Sequence, residues 1–522
     1  MLLALGVFFR FYNIDLKFPW IDECITQVRV SDYGYSAEDW QSVFSQEIVE
    51  IGRIQNQLKS RPNQSTFQFI QDKLIQQPEH PPLYYIMAKE VTRWSGNTIS
   101  RLRKLSAYIG LLAFPGIYWL CLELFGSFTF GLVGLGIIAI SPLYILYGQE
   151  AREYSLWIVG TLFSSAALIR AHRKSTGKNW AIYSVISIIG LYSHLFFLLV
   201  IAAQSLYILL LHQFGHKVFL RSYIKSTLVN ITIFLPWLSL FWWKFDKTSA
   251  QTKWFNEHLS LVTIGKRFLG SIVRTFFDWG LDETISLRSS PLEIILAVAT
   301  LCLIAYCLFY VFLSDNLEIK LYIFTLISVP LVSIFGIELI SGKVLSQARY
   351  LIPVCLGTQL AVIYWIGHQI SASREPSSQG TRLGSFPALI ILALLMGNIS
   401  SCYLSSQAMF WWTKGDARNL GEMAQVINQS ENPLLISSSL LPRLMSLGYQ
   451  LDPTIPVQWI PLQTVAQVIP AFQPIYWFEG GAIASTRQQS EANQTGYTLE
   501  LIQKISQINV GLYEIKTSSE PS

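Results

Sequence analysis

The chain has 522 residues, of which 51% are hydrophobic and only 14% charged, with a mean hydropathy of +0.38 and a formal net charge of +5. Soluble domains carry roughly 25% charged residues, and a soluble core of this composition would need many helices that are apolar on every face. The composition therefore excludes an ordinary soluble enzyme and indicates a multi-pass α-helical membrane protein, whose helices satisfy their own backbone groups in lipid. No nucleic-acid partner is expected. The six cysteines are scattered. Cys121, Cys302, Cys307 and Cys355 lie in apolar runs, where a thiol is packing material, and the spacing of Cys24 and Cys402 argues neither a disulfide nor a metal framework. No small-residue cleavage site follows the first apolar run, so no cleavable signal peptide is evident.

Taken in order, residues 1–14 read as a first membrane helix. Its apolar run, Leu2 to Tyr12, is short for a bilayer; it is either tilted or continued upstream of Met1. Residues 15–104 read as a polar extracytoplasmic loop. Within it, Trp40, Val43, Phe44, Ile48, Ile51 and Ile54 fall near helical spacing over Ser36–Ser60, which predicts one or two interfacial helices. The stretch from Pro81 to Gly96 carries Lys89, Glu90 and Arg93, charges that favour an interfacial or re-entrant helix over a span. Residues 105–404 form the polytopic domain, with apolar runs near 105–125, 127–147, 153–171, 180–193, 194–213, 223–243, 292–313, 320–340, 350–371 and 385–404. With the first helix these give about eleven spans. Residues 405–522 read as a small extracytoplasmic α/β domain. Strand-like runs at 433–437, 456–460, 474–478 and 510–515 alternate there with helical stretches near 415–429, 441–449, 462–470 and 496–505.

Lys and Arg in short loops set orientation. Arg170, Arg173, Lys174 and Lys178, and then Lys217, Arg221 and Lys225, mark two cytoplasmic loops. Counting from them places 15–104, 148–152, 245–290, 341–349 and everything after 405 on the outer side. Arg101, Arg103 and Lys104 break the rule there.

The chemistry-bearing residues cluster on that expected outer side. Asp22 and Glu23 follow Trp20-Ile21 at the end of the first apolar segment. Alone they suit a helix N-terminus; facing a lipid headgroup, a carboxylate there can act as a general base. Glu79 and His80 precede Pro81-Pro82, a pair suited to a first helical turn. One histidine with three carboxylates is compatible with a divalent cation without requiring one. Gln149, Glu150, Arg152, Glu153 and Tyr154 put two acids and an arginine at a helix mouth. Arg152 can pair with its neighbours or bind a phosphate bidentately. Lys343, Arg349 and Tyr350 form a second cationic group, either snorkelling to headgroups or clamping an anionic lipid. His194, between two apolar runs, reads as a packing histidine. Trp242-Trp243 and Trp411-Trp412 read as interfacial belt residues.

An ordered set of motifs spans roughly residues 8–355: Arg10-Phe11-Tyr12, Trp20-Ile21-Asp22-Glu23, Glu79-His80-Pro81-Pro82-Leu83-Tyr84-Tyr85, Arg101-Leu102, Ser141-Pro142, Tyr147-Gly148-Gln149-Glu150-Ala151-Arg152-Glu153-Tyr154 and Ala348-Arg349-Tyr350-Leu351-Ile352-Pro353. The set resembles the GT-C superfamily of integral-membrane glycosyltransferases. It is similar in particular to the family 39 group of protein O-mannosyltransferases and bacterial lipid A aminoarabinose transferases. The short first helix and the absence of an acceptor-specificity motif depart from that pattern. The resemblance implies transfer of a hexosyl or pentosyl sugar from a polyprenyl-phosphate donor at the outer face of the inner (plasma) membrane, onto the hydroxyl or amine of a lipid, protein or glycan acceptor. It implies Asp22 as the catalytic or acceptor-positioning acid, with Glu23 or Glu79 orienting it. Arg152 and Arg349, joined by Lys343, would hold the phosphate, with His80, Gln149, Tyr154 and Tyr350 in support. A lipid-linked sugar transporter is the alternative. It would place charges near the bilayer midplane and show inverted repeats, whereas these charges gather at one face.

Overall fold

Residues 1–33, 48–216, 219–245, 259–280, 291–372, 384–437, 439–460, 471–480, 497–505 and 510–517 are described by the computed structural model. Their contacts divide the chain into two units. The first comprises Met1–Ile14, Ile70–Tyr84 and Arg103–Ala408; the second comprises Asp15–Phe69, Tyr85–Leu102 and Met409–Ser522. The 15–104 segment and the C-terminal segment, expected as separate regions, thus contribute largely to one unit.

The first unit is helical, and the protein is a multi-pass membrane protein. Among the described residues, six helices are long and apolar enough to cross a bilayer: Ile99–Phe125, Tyr154–Arg173, Leu220–Trp243, Pro291–Leu313, Leu317–Ser341 and Ser385–Gln407. Phe128–Ala139 and Pro142–Gly148, bent by 60° at their junction, make a seventh if counted as one span. The expectation of about eleven also counted shorter helices, Leu2–Phe11, Gly177–Ser193 and Phe197–Gln213. It counted Ile352–Ala372 too, in which every residue from Ile352 to Gly367 is buried. That helix is wrapped by its neighbours, so it carries Thr358, Gln359 and His368 at little cost. Helices Leu220–Trp243 and Pro291–Leu313 instead leave Leu228, Leu235, Val298 and Phe309 exposed, as a lipid-facing surface permits.

The bend after Ala139 has a definite support. A broken helix frees carbonyls that water cannot reach in a bilayer. Arg10, fully buried, donates Nη1 to the carbonyls of Ala139 (2.9 Å) and Gly6 (2.8 Å), and Nη2 to that of Ile138 (3.4 Å). Its guanidinium also lies 4.6 Å from the Phe114 ring centre. Helix Leu2–Phe11 approaches so closely that a Cβ on Gly6 would stand 2.5 Å from the Ala139 carbonyl oxygen. Beyond the bend, Ser141 donates to the Thr275 carbonyl and accepts from Gln359.

The second unit is built on a mixed six-stranded sheet of order β1-β3-β2-β4-β6-β5, with β1 Ile48–Glu50, β2 Leu434–Ser437, β3 Pro456–Trp459, β4 Ile475–Gly480, β5 Tyr497–Ile505 and β6 Val510–Thr517. β2 runs parallel to β3 and β4, and the other pairs are antiparallel. Helices Gly415–Asn428 and Leu441–Gly448 match the expected helical stretches, and 462–470 lies outside the described residues. The stretch near 496–505, expected as a helix, is strand β5 paired with β6. A register shift between Leu501 and Gln503 breaks its alternation, leaving Leu501 exposed and Ile502 packed against the core, and pairing with β6 decides for the strand. In the 36–60 region, 34–47 is outside the described residues. Strand β1 comes next, and then helix Ile51–Lys59, whose Ile51, Ile54 and Leu58 are buried.

Helix Leu83–Ser95 forms where an interfacial or re-entrant helix was expected, and two of its charged residues find partners locally. Lys89, fully buried, pairs with Asp32 at 3.1 Å beside the Phe69 ring, and Glu90 accepts from Thr66. Asp32 also accepts the backbone N–H groups of Asn63 and Gln64. Burial by itself would raise its carboxyl, but those bonds and Lys89 outweigh it and hold it below the usual range. Arg103, one of the cations that broke the charge rule, is buried in the first unit and donates to the Ile14 carbonyl at 2.9 Å.

Candidate active site

The segment 149–153 joins helices Pro142–Gly148 and Tyr154–Arg173, and it is pinned from two sides. Gln149 donates Nε2 to the carbonyls of Phe9 (2.8 Å) and Tyr12 (3.2 Å), capping the C-terminal end of helix Leu2–Phe11. From the other side, Ser106 donates to the Arg152 carbonyl and is hydrogen-bonded to the Tyr84 hydroxyl at 2.8 Å. Gln149, expected to support the site, is found tying this segment to the end of the first helix.

Three charged side chains meet on this frame. Glu153 lies 3.3 Å from Arg152 Nε and 3.2 Å from His80 Nδ1. Arg152 and Glu153 are almost fully buried, while the His80 side chain is 26% exposed. His80 sits just before Pro81-Pro82, on a segment tethered by the Trp237 indole N–H to the Pro78 carbonyl at 2.9 Å. Burial alone would push the Glu153 carboxyl up, but Arg152, His80 and His194 outweigh it and hold it well below the ordinary carboxylate range. Glu153 is therefore an anion between two nitrogen bases.

His194 belongs to the same group, although its place between two apolar runs suggested packing alone. It lies in the turn between helices Gly177–Ser193 and Phe197–Gln213, stacked on Trp157 with ring centres 4.1 Å apart and planes 4° from parallel. Tyr154 and Tyr350 flank it, each at 6.3 Å. Burial pushes its imidazole down to about 3, opposed by Glu153 and reinforced by His80, Arg152 and Arg349. His194 is neutral at physiological pH.

Arg349 is carried by the segment that follows helix Leu317–Ser341. Gly342 ends that helix at φ +66°, in the left-handed region that favours glycine. Glu338 then accepts from the Leu345 N–H (3.2 Å) and the Ser346 hydroxyl (3.0 Å), fixing the turn. The Arg349 guanidinium lies 5.4 Å from the Tyr350 ring centre, and Phe196 meets Tyr350 edge-on at 5.0 Å. Lys343 is at the other end of this segment.

His80, Arg152, Tyr154, Arg349 and Tyr350 thus gather around Glu153 and His194, all within the first unit. Glu79 is half-buried beside His80, and its Oε2 is sequestered with no hydrogen-bond partner among the described residues. Asp22 and Glu23 belong to the second unit, in the first turn of helix Ile21–Val30. There the Glu23 carboxylate accepts the Trp20 backbone N–H at 3.5 Å, fastening the helix start beside Asp22. Among the described residues, no group of three or more His, Cys, Asp or Glu side chains is arranged to hold a metal ion. His194 is the residue that sequence reasoning missed; its signal was the break at Ser193-His194.

A buried arginine, a buried carboxylate and two histidines thus meet at the ends of helices in a multi-pass membrane protein. No family model matches the chain, and no curated protein matches it. Among solved structures it is similar to ArnT from Cupriavidus metallidurans bound to undecaprenyl phosphate, with 12% identity over 100% of this chain and 98% of that chain and a TM-score of 0.47. The apo state of the same protein gives 13% identity and a TM-score of 0.46. The oligosaccharyltransferase of Archaeoglobus fulgidus, in its apo form, gives 11% identity over 83% of this chain and 64% of that chain, with a TM-score of 0.45. At TM-scores below 0.5, these likenesses by themselves assign no function.

Proposed function

We propose that the chain is a glycosyltransferase that moves a sugar from a polyprenyl-phosphate donor to an acceptor hydroxyl or amine, with its site on the extracytoplasmic side of the plasma membrane. The observation that carries this reading is the group of Arg152, Glu153, His80, His194 and Arg349 at the ends of apolar helices. A lipid donor reaches such a position from the bilayer, and its phosphate finds cations held in a largely desolvated setting, where they count for more than in water. In the reaction the acceptor oxygen or nitrogen attacks the anomeric carbon. The bond from that carbon to the phosphate oxygen breaks, and the polyprenyl phosphate departs with the electron pair. Arg152 and Arg349, with Lys343 on the same segment as Arg349, stabilise the charge on that leaving group. Glu153 holds the Arg152 guanidinium and the His80 ring in place. Asp22 takes the acceptor's proton, and Glu23 keeps it positioned by fastening the helix start. Glu79 assists from beside His80.

The test is turnover of a polyprenyl-phosphate sugar by purified protein. Asp22→Asn is expected to lower kcat about 10²- to 10⁴-fold with the thermal unfolding profile intact; full activity in a folded D22N protein removes Asp22 as the base. The double variant Arg152→Ala with Arg349→Ala is expected to lose donor binding, and wild-type affinity in that protein would refute the phosphate clamp.

A further inference from the structure

His194 is only 7% exposed, yet its imidazole is half committed to the protein. Its Nδ1 accepts the backbone N–H of Phe196 at 3.1 Å. A nitrogen that accepts carries no proton, so in the neutral ring the proton sits on Nε2. The tautomer is set by the turn itself, because Phe196 lies two residues along the same turn. The stacked Trp157 holds one face of the ring, and Tyr154, Phe196 and Tyr350 surround it. The Nε2–H has no hydrogen-bond partner among the described residues. The Nε2 edge is not sealed in the core, so this donor stays open to a ligand.

The groups around it say what this donor is for. The two rings that flank His194 each carry a cation: the Arg152 guanidinium lies 5.9 Å from the Tyr154 ring centre and that of Arg349 5.4 Å from the Tyr350 ring centre. An anion attracted by those two cations also meets a neutral N–H whose orientation is fixed in advance. A neutral donor suits this place better than a third cation. It strengthens a hydrogen bond to a phosphate oxygen without holding the leaving group so tightly that release is slow.

We infer that His194 is a ligand of the donor's phosphate, its Nε2–H donating to a phosphate oxygen held by Arg152 and Arg349. The inference rests on the glycosyltransferase reading above and adds to it a ligand of different chemistry, placed on a different helix turn from the two cations.

The experiment measures binding of undecaprenyl phosphate to the purified full chain, with undecaprenol and inorganic phosphate as comparison probes. His194→Phe keeps a ring to stack on Trp157 and removes the donor. It is expected to weaken undecaprenyl phosphate binding about ten- to hundredfold, the range of one hydrogen bond to a charged group, and to leave undecaprenol binding unchanged. A weakening seen equally with undecaprenol would mean that His194 only packs, and overturns the inference. A loss for inorganic phosphate parallel to that for undecaprenyl phosphate supports it, since the shared chemistry is the phosphate oxygen. Should the Phe variant not fold, His194→Gln and His194→Met make the same comparison in linear side chains of similar volume. Gln, which donates, is expected to bind more tightly than Met, and equal affinities overturn the inference.

The pH dependence separates donor from base. The titratable and charged groups facing His194 are Glu153, His80, Arg152, Arg349, Tyr154 and Tyr350. Between pH 6 and 8 wild type and the Phe variant are expected to share one profile shape. A limb present in wild type and missing from the variant would show that His194 titrates, against the inference. If wild-type protein itself fails to bind undecaprenyl phosphate, the glycosyltransferase reading falls. If wild type binds and the Phe variant binds equally well, only the His194 inference falls.

Discussion

The first unit contains two interruptions of its apolar chain, each marked by a buried nitrogen base, and they are used differently. At the bend after Ala139, Arg10 turns both of its Nη groups onto the carbonyls of Ile138 and Ala139 at the break and of Gly6 in its own helix. At the turn after Ser193, His194 spends one nitrogen on the turn and keeps the other free of protein partners among the described residues. Both residues are buried, polar and costly to bring into an apolar setting. Burial therefore does not separate the structural residue from the functional one. The difference lies in what the bonds serve: both Arg10 Nη groups bind backbone carbonyls, although its Nε has no partner among the described residues, whereas the one side-chain hydrogen bond that His194 makes among those residues closes its own turn.

If Arg10 is purely structural, its loss should fall on folding. Arg10→Leu leaves buried carbonyls without donors, and each hydrogen bond from a charged group contributes about 1.5–3 kcal/mol. A destabilisation of about 3 kcal/mol or more is expected, read as loss of monodisperse protein and a lowered Tm in detergent. A folded, stable R10L protein that had merely lost activity would erase the contrast with His194.

A smaller effect is expected at the other side of the same contact. Gly6→Ala forces a Cβ against the Ala139 carbonyl at 2.5 Å, and overpacking of this kind costs about 1–3 kcal/mol. Donor binding should be retained in whatever fraction folds. A Tm equal to wild type would show that the helix can slide away and that the Arg10 bend is looser than described.

The smallest effect is a pH slope. His194 binds its proton near pH 6.5 when unfolded and only at about 3 when folded. Between those values the unfolded chain takes up a proton that the folded chain refuses, so stability falls as the pH drops through that window. The slope is at most about 1.4 kcal/mol per pH unit. Glu153, held low, contributes stability above its unfolded value near 4.5 and loses it only below that. Thermal unfolding from pH 6.5 to 5 should therefore show a slope in wild type that is reduced in His194→Phe. Identical slopes would show that the His194 ring is no harder to protonate in the fold than in the unfolded chain.

The membrane class, the positions of most spans, the strands near 433–437, 456–460 and 474–478 and the helix near 441–449 were legible because periodicity and hydropathy are local. So was the pairing of Arg152 with Glu153, which are neighbours in sequence. What escaped was non-local. β5 reads as a helix until pairing with β6 makes it a strand with an irregular register. Ile48–Glu50 looked like part of a helix because nothing near it reveals a partner strand at Pro456–Gln458. The buried Arg103 looked like an orientation anomaly until the Ile14 carbonyl explained it. His194 looked like packing because the residues that give it a chemical context lie at 80, 152, 153 and 349.

The pairing of β1 with β3 also sets a timetable for synthesis. Ile48–Glu50 leaves the ribosome about 400 residues before its partner strand, which at about 5–20 residues per second is a delay of about 20–80 s. The second unit cannot complete its sheet until nearly the whole chain has been made and the membrane helices between the two strands have emerged. Through that interval the N-terminal segment bearing Asp22 lacks its final neighbours, so a chain truncated before residue 456 keeps its membrane helices but never finishes the sheet edge that β1 belongs to.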